Sequence, residues 1–161
     1  MLYREIGEFA KAIKAGHRII GLDIGEKKIG IAFSDTTHLI ATAHSIYKCR
    51  STATDLEAIS RIIADNSALA AVVGLPLDFY DGQENEWCQV VHRFALKLSR
   101  KMSRLFGSYP IYLQDERFST IIATRILKEA NLSRKKAKSL DDKVAAANIL
   151  QQALDKMHLI F

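Results

Sequence analysis

The chain has 161 residues, 48% of them hydrophobic and 25% charged, with a net charge of +5. These values fit one globular domain with its own core and exclude a long disordered chain. A basic excess of this size is compatible with a polyanionic partner but does not identify one. Cys49 and Cys88 are the only cysteines, so we expect two reduced thiols in a cytoplasmic protein. No apolar run reaches the length of a membrane span, and we expect no membrane partner.

The first half of the chain predicts a helix followed by three strands. Residues 1–16 have apolar residues at helical spacing and Gly16 at the end, which predicts an extra N-terminal helical segment. We treat residues 1–161 as a single domain that includes this extra segment. Short spacings then predict an antiparallel meander, with strands over 17–25, 29–34 and 39–47.

The second half alternates helices and strands. Helices are predicted over 52–65, 84–106, 118–130 and 142–157, and strands over 69–75 and 111–114. A meander followed by βα units predicts an α/β fold with a five-stranded mixed sheet, three strands antiparallel and two parallel, flanked by helices. Ligands in such folds collect at the carboxyl ends of the parallel strands.

The long helix over 84–106 carries a row of basic residues on one face. We interpret this row as a solvated helix face, although it and the N-terminal segment leave room for a homodimer as well as a monomer. The row consists of Arg93, Lys97, Arg100 and Arg104.

An acidic residue interrupts the apolar strand that opens the meander. Asp23 follows Ile19, Ile20 and Leu22, and burying an unpaired charge there would cost several kcal/mol. A cation, a network of hydrogen bonds or the end of the strand must therefore account for Asp23.

Two later pairs of acids fall at the same predicted edge of the sheet. Asp115 and Glu116 follow a strand, and Asp141 and Asp142 stand at the predicted start of the last helix. Together with Asp23 they could bind Mg²⁺ or Mn²⁺, which prefer hard oxygen ligands. Neighbouring helical residues point about 100° apart, so one member of each pair would face the ion.

Each acid also has a purely structural interpretation. Asp23 could be satisfied by backbone amides or a lysine. Asp115 is suited to cap a helix, and Glu116 to occupy its first turn. Ser139 and Asp142 have the spacing of a capping box.

Basic residues flank this predicted acidic edge. Gly25 permits a tight turn, and Lys27 and Lys28 at its tip could meet a phosphate backbone or form a plain charged hairpin. A second basic group precedes the predicted last helix and could clamp phosphate or form a solvated loop. It consists of Arg134, Lys135, Lys136 and Lys138.

Four segments of the chain resemble motifs of one known family. Residues 22–35 (LDIGEKKIGIAFSD) resemble the opening motif of the YqgF family, also called RuvX, and residues 73–77 (VGLPL) with Asp81-Gly82 resemble its central motif. Residues 115–120 (DERFST) resemble the third motif, and residues 142–151 (DKVAAANILQ) the C-terminal one. The four occur in family order and span residues 17 to about 156.

The resemblance implies a ribonuclease H-like fold, akin to that of the Holliday-junction resolvase RuvC. It implies a cytoplasmic, metal-dependent nuclease that acts in ribosome biogenesis on the 5′ end of pre-16S rRNA, with pre-rRNA favoured over a DNA junction as partner and the ribosome as a further one. Carried over by position, it makes Asp23, Glu116 and Asp142 the catalytic and metal-binding residues. Lys27, Arg117 and Thr120 match motif positions that could support phosphate.

The chain departs from the family pattern at three places. Glu26 stands where the family usually has a small residue, the loop at 78–80 is one residue longer, and Asp141 adds an acid beside Asp142. Two alternatives to a nuclease remain: a non-catalytic RNA- or ribosome-binding module, and an ATPase suggested by the Asp-x-Gly hairpin. One lobe of 161 residues argues against the ATPase, which needs two lobes around a cleft.

Overall fold

The computed structural model describes residues 1–78, 81–116 and 134–160, with the backbone alone described for residues 134–143. The predicted helix over 118–130, Arg117 and Thr120 therefore lie outside the described residues. Within the described part of the chain, no helix is long and apolar enough to cross a membrane.

Six strands form one mixed sheet within the described part of the chain. The strands are β1 (Leu2–Tyr3), β2 (Arg18–Ile24), β3 (Lys28–Ser34), β4 (Ala41–Lys48), β5 (Ala68–Leu75) and β6 (Ile111–Asp115). Their order in the sheet is β1-β6-β5-β2-β3-β4. The antiparallel meander β2-β3-β4 and the parallel pair β2-β5 confirm the predicted α/β architecture.

Four helices are described, and the predicted bounds of one of them match the structure at both ends. They are α1 (Ile6–Ala12), α2 (Thr52–Asp65), α3 (Glu86–Phe106) and α4 (Arg134–Ile160). The matching helix, α2, starts after Ser51, whose hydroxyl accepts a hydrogen bond from the Thr54 N–H. A side chain that caps the free N–H groups of a first turn marks a helix start in the sequence as well.

Two predictions about the N-terminal segment are wrong. The sheet has six strands instead of five, because Leu2 and Tyr3 pair in parallel with Ile111 and Tyr112 at the edge of the sheet. The helix predicted over 1–16 is accordingly limited to Ile6–Ala12. A two-residue strand has no periodicity of its own, and only its tertiary partner defines it.

The predicted start of the last helix is also wrong. Helix α4 begins at Arg134, so the basic group 134–138 is helical and does not form a loop, and Asp142 is an interior residue that cannot complete a capping box. Residues 134–160 contain neither glycine nor proline. Nothing in that segment therefore stops a helix from extending to Arg134.

The sheet separates two apolar layers. One layer packs against α2 and α3 and includes Ile20, Leu22 and Ile24 of β2. The other packs against α1 and α4 and includes Ile19. Side chains alternate across a strand, so every second residue of β2 that follows Ile19 faces α4.

Candidate active site

Asp23 lies near the carboxyl end of the central strand β2, on the face that α4 covers. It is half-buried and pairs with Gly30 of β3. On its other side Leu22 pairs with Val73, which puts Gly74 of β5 level with Asp23. Asp23 is thus flanked by two glycines, one on each neighbouring strand.

Glu116 brings a second carboxylate to this position. Its N–H donates to the Leu75 carbonyl over 3.3 Å, and its Oε2 lies where a Cβ on Gly74 would come within 2.6 Å. Burial raises the pKa of Glu116 to about 8, with further contributions from the negative charges of Asp23 and Asp115. The two carboxylates are therefore close enough for the negative charge of Asp23 to contribute to the raised pKa of Glu116.

Asp115 lies on the other side of the strand end. Alternation along β6 puts Gln114 and Glu116 on the α4 face and Asp115 on the opposite face. Gln114 confirms this orientation, since its amide donates to Gln152 Oε1 of α4 over 3.2 Å. The sequence left open whether Asp115 or Glu116 would face a metal ion. Of these two, Glu116 is the one that adjoins Gly74.

Gln114 holds α4 against the sheet from the position in β6 that pairs with Gly74. Its side chain is 1% exposed, and its Oε1 accepts a hydrogen bond from Lys156 over 3.3 Å. Gln114 was not among the predicted site residues, although a glutamine at the end of an apolar strand is the kind of buried polar group that needs partners.

The turn after β2 is a tight hairpin beside Asp23. The Gly25 N–H donates to the Lys28 carbonyl over 2.9 Å, and the Cys49 N–H donates to the Lys27 carbonyl over 2.9 Å. A Cβ on Gly25 would lie 2.9 Å from the same Lys28 oxygen, so the turn requires glycine. Glu26, Lys27 and Lys28 are exposed at its tip.

Helix α3 begins at the same edge. The Trp87 indole N–H donates to the Ile24 carbonyl over 3.2 Å. Asn85 accepts from the Cys88 N–H over 3.0 Å and donates to the Pro76 carbonyl over 2.8 Å. These contacts fix the first turn of α3 to the ends of β2 and β5, and no sequence pattern predicted them.

Helix α4 runs antiparallel to β2. Near its middle, the Ala146 carbonyl and the Leu150 Cβ approach Gly21 so closely that a Cβ there would lie 2.9 Å and 2.7 Å away. Near its end, His158 Nε2 is 2.8 Å from the His38 carbonyl, in the loop that adjoins the start of β2. The amino-terminal half of α4 therefore points toward the carboxyl end of β2.

Asp142 and the basic group 134–138 belong to that amino-terminal half, and their side chains lie outside the described ones. Among the side chains that the structure describes, no three His, Cys, Asp or Glu residues form a group that could hold a metal ion. The described part of the predicted ligand set is thus the pair Asp23 and Glu116.

The mixed sheet, with Asp23 near the carboxyl end of its central strand and helices on both faces, has a ribonuclease H-like fold. The structure of Thermus thermophilus RuvC in complex with Holliday junction substrate aligns with a TM-score of 0.52 and 16% identity, over 88% of this chain and 96% of that one. At 16% identity, this structural similarity establishes the fold alone.

The chain belongs to the RuvX family, whose model, described as "Holliday junction resolvase", matches residues 17–156. A protein of Wolbachia pipientis wMel named "Putative pre-16S rRNA nuclease" is 49% identical over 160 residues, which is 99% of both chains. A protein of Ehrlichia ruminantium (strain Welgevonden) with the same name is 46% identical over 159 residues, 99% of this chain and 98% of that one. The predicted fold and membership of a nuclease family are thereby confirmed.

Proposed function

We propose that this protein is a cytoplasmic, divalent-metal-dependent endonuclease that processes the 5′ end of pre-16S rRNA during ribosome biogenesis. The observation that carries the proposal is the pair of neighbouring carboxylates, Asp23 and Glu116, at the carboxyl end of the central strand. The substrate is taken from the names of relatives that are nearly half identical over almost the whole chain.

The carboxylate pair fits a hard divalent cation. Burial, followed by the negative charges of Asp23 and Asp115, raises the pKa of Glu116, and a bound cation would favour the ionised form of this carboxyl. Carboxylate oxygens are the ligands that Mg²⁺ and Mn²⁺ prefer. A bound ion of this kind would activate water and stabilise the leaving oxygen in phosphodiester hydrolysis.

We assign Asp142 as the third ligand from its place in α4. Ala146 contacts β2 at Gly21, and position 142 lies one helical turn earlier on the same helix face. One turn advances about 5.4 Å along the helix, while two residues from Gly21 to Asp23 advance about 6.6 Å along the strand. The antiparallel course of α4 supports bringing position 142 level with Asp23.

The basic residues around this edge are assigned to the phosphates of the RNA. Lys27 and Lys28 are exposed on the hairpin that follows Asp23, a position suited to backbone contacts. The remaining members are proposed from the family motif and from charge alone, and they are Arg117, Thr120, Arg134, Lys135, Lys136 and Lys138.

The test is cleavage of a 5′-extended pre-16S rRNA fragment by the purified chain with Mg²⁺. Asp23→Asn keeps the size of the side chain and removes one charge, and it should abolish cleavage. Asp65→Asn removes a charge from an exposed residue at the end of α2 and should leave cleavage unchanged. Undiminished cleavage by Asp23→Asn would overturn the assignment.

Cleavage of a four-way DNA junction is the second candidate function, because the matching family model is described as a Holliday junction resolvase. The same protein preparation is assayed on a junction and on the pre-rRNA fragment. Preferential cutting of the RNA supports the first function, and preferential cutting of the junction supports the second. RNA binding without cleavage of either substrate would instead identify a non-catalytic binding module.

A further inference from the structure

The outward face of α3 carries a straight row of cations that the proposed active site does not use. At 100° per residue, the four positions lie within about 60° of one another around the helix and extend about 16 Å along it. All four side chains are exposed. This basic stripe consists of Arg93, Lys97, Arg100 and Arg104.

The basic stripe has no role in packing α3 onto the sheet. The buried residues of α3 include Val91, Leu98 and Met102, which point to the opposite side of the helix. The four cations can therefore be replaced without disturbing the core, and packing does not account for four cations along one line.

The charge of the basic stripe is not neutralised by the rest of the described protein. None of its four members forms an ion pair with a described acidic residue. The neighbouring acid on α2, Glu57, is bonded to Lys101 over 2.7 Å and to Arg61 over 3.5 Å. The basic stripe therefore places four positive charges on one line of a chain whose net charge is +5.

Helix α3 connects this surface to the proposed active site. Trp87 joins the first turn of α3 to the carbonyl of Ile24, the residue after Asp23. Arg93 is six residues further on, about 9 Å along the helix. A strand of nucleic acid that leaves the carboxylates across this edge can therefore continue along the basic stripe.

We propose that the basic stripe is a second binding surface for the phosphodiester backbone of the RNA, on the face of the sheet opposite the carboxylates. A row of cations matches a chain of phosphates and carries no sequence information, so it would position the RNA without selecting its bases. Only Leu96 and Leu105 are exposed apolar residues among the described part of α3, which favours a polyanion over an apolar protein partner. The inference rests on the proposed function and extends it.

The experiment measures binding of the pre-rRNA fragment without cleavage, by fluorescence anisotropy in EDTA at several KCl concentrations. Lys97→Gln/Arg100→Gln removes two charges from the basic stripe and keeps good helix formers in place. Lys14→Gln/Arg18→Gln removes two exposed charges near the opposite end of β2. Circular dichroism shows whether each variant folds.

The variant of the basic stripe should bind at least about fivefold more weakly near 100 mM KCl. Its plot of log K against log[KCl] should be shallower by roughly 1.4–1.8, the value for two lost phosphate contacts. The control variant should match the unmodified chain in both respects. Equal affinity and equal slope for all three proteins would overturn the inference.

Three further outcomes show which of the two proposals fails. RNA binding that is unaffected in the variant of the basic stripe, with cleavage still lost in Asp23→Asn, overturns the second surface alone. If the variant loses binding to vesicles that contain anionic phospholipid and keeps full RNA affinity, the stripe is a lipid contact and the inference is wrong. Failure of the unmodified chain to bind any RNA contradicts both proposals.

Discussion

Gly74 is the residue on which the geometry of the carboxylate pair depends most directly. A Cβ there would lie 2.6 Å from Glu116 Oε2 and 2.7 Å from Ile149 Cδ1, so Gly74→Ala must displace one or both. We expect the displaced Glu116 to reduce cleavage by up to about 100-fold, the effect of a shift near 1 Å at a catalytic group. Steady-state cleavage rates of the pre-rRNA fragment measure the loss.

Gly7→Ala is the matched control for Gly74→Ala. A Cβ on Gly7, in α1, would meet nothing within 4 Å, so this variant should keep its activity. Gly74→Ala should lose about 1–3 kcal/mol of stability from overpacking as well as activity. Unchanged activity per folded molecule in Gly74→Ala would show that Gly74 has a packing role only.

The raised pKa of Glu116 predicts how the stability of the metal-free protein depends on pH. The pKa is about 8 in the folded chain against an ordinary value of 4.5, so the folded state holds this proton more tightly than the unfolded state. The contribution to stability is fully present below pH 4.5 and is lost as the pH rises through 8. At about 1.4 kcal/mol per pH unit, the loss amounts to a few kcal/mol at most.

Urea unfolding in EDTA at pH 5.5, 7 and 8.5 measures this dependence. Glu116→Gln carries no titratable group at this position, so its stability should fall less over the same range. The difference between the two proteins isolates Glu116 from the other groups that titrate. Parallel pH curves for the two proteins would show that Glu116 is not ionised at a raised pKa.

At the level of elements, the first turn of α3 is predicted to be a stronger anchor than that of α2. Asn85 caps α3 and also bonds to the Pro76 carbonyl over 2.8 Å, whereas Ser51 caps α2 through a longer bond of 3.3 Å to the Thr54 N–H. Asn85→Ala should cost about 1–2 kcal/mol and Ser51→Ala about 0.5–1 kcal/mol. Urea midpoints of the two variants give the comparison, and an equal or reversed order would contradict it.

Local sequence patterns were sufficient for the elements that carry strong periodicity or a cap. Apolar spacing and turn residues predict the meander, β5, α2 and the end of α3 at Phe106. Strand β1 and the start of α4 did not follow, because a two-residue strand depends on its partner and a continuous run of helix formers gives no start signal.

The candidate site shows the same division. Asp23 was predictable because a carboxylate in an apolar strand conflicts with burial. Its approach to Glu116 depends on the parallel register of β2, β5 and β6, which the order of elements suggested. The role of Gly74 depends on an atom of Glu116 from outside its own strand, so no local pattern could predict it. The position of Gln114 in an apolar strand indicates a buried polar group, but its partners in α4 are known only from the structure.

At the scale of the whole molecule, the N-terminal segment is integrated into the sheet although the family model begins only at residue 17. Phe9 of α1 is fully buried in the layer beneath α4, and its ring centroid lies 5.6 Å from that of Tyr112 in β6. Strand β1 extends the same sheet. The segment therefore contributes to the apolar layer against which α4 packs.

This integration predicts that the chain unfolds as a single domain. Phe9→Ala should lower stability by about 3–5 kcal/mol, whereas Glu8→Ala/Lys11→Ala, which removes an exposed ion pair on the same helix, should cost less than about 1 kcal/mol.

Trp87, the only tryptophan, lies on the opposite sheet face and reports unfolding through its fluorescence. In a two-state domain, Phe9→Ala shifts the urea midpoint by the same amount in Trp87 fluorescence and in far-UV circular dichroism. If Phe9→Ala leaves the midpoint in Trp87 fluorescence unchanged, residues 1–16 unfold as a separate unit. In a single cooperative domain, the loss of Phe9 would also destabilise the layer that contains Trp87.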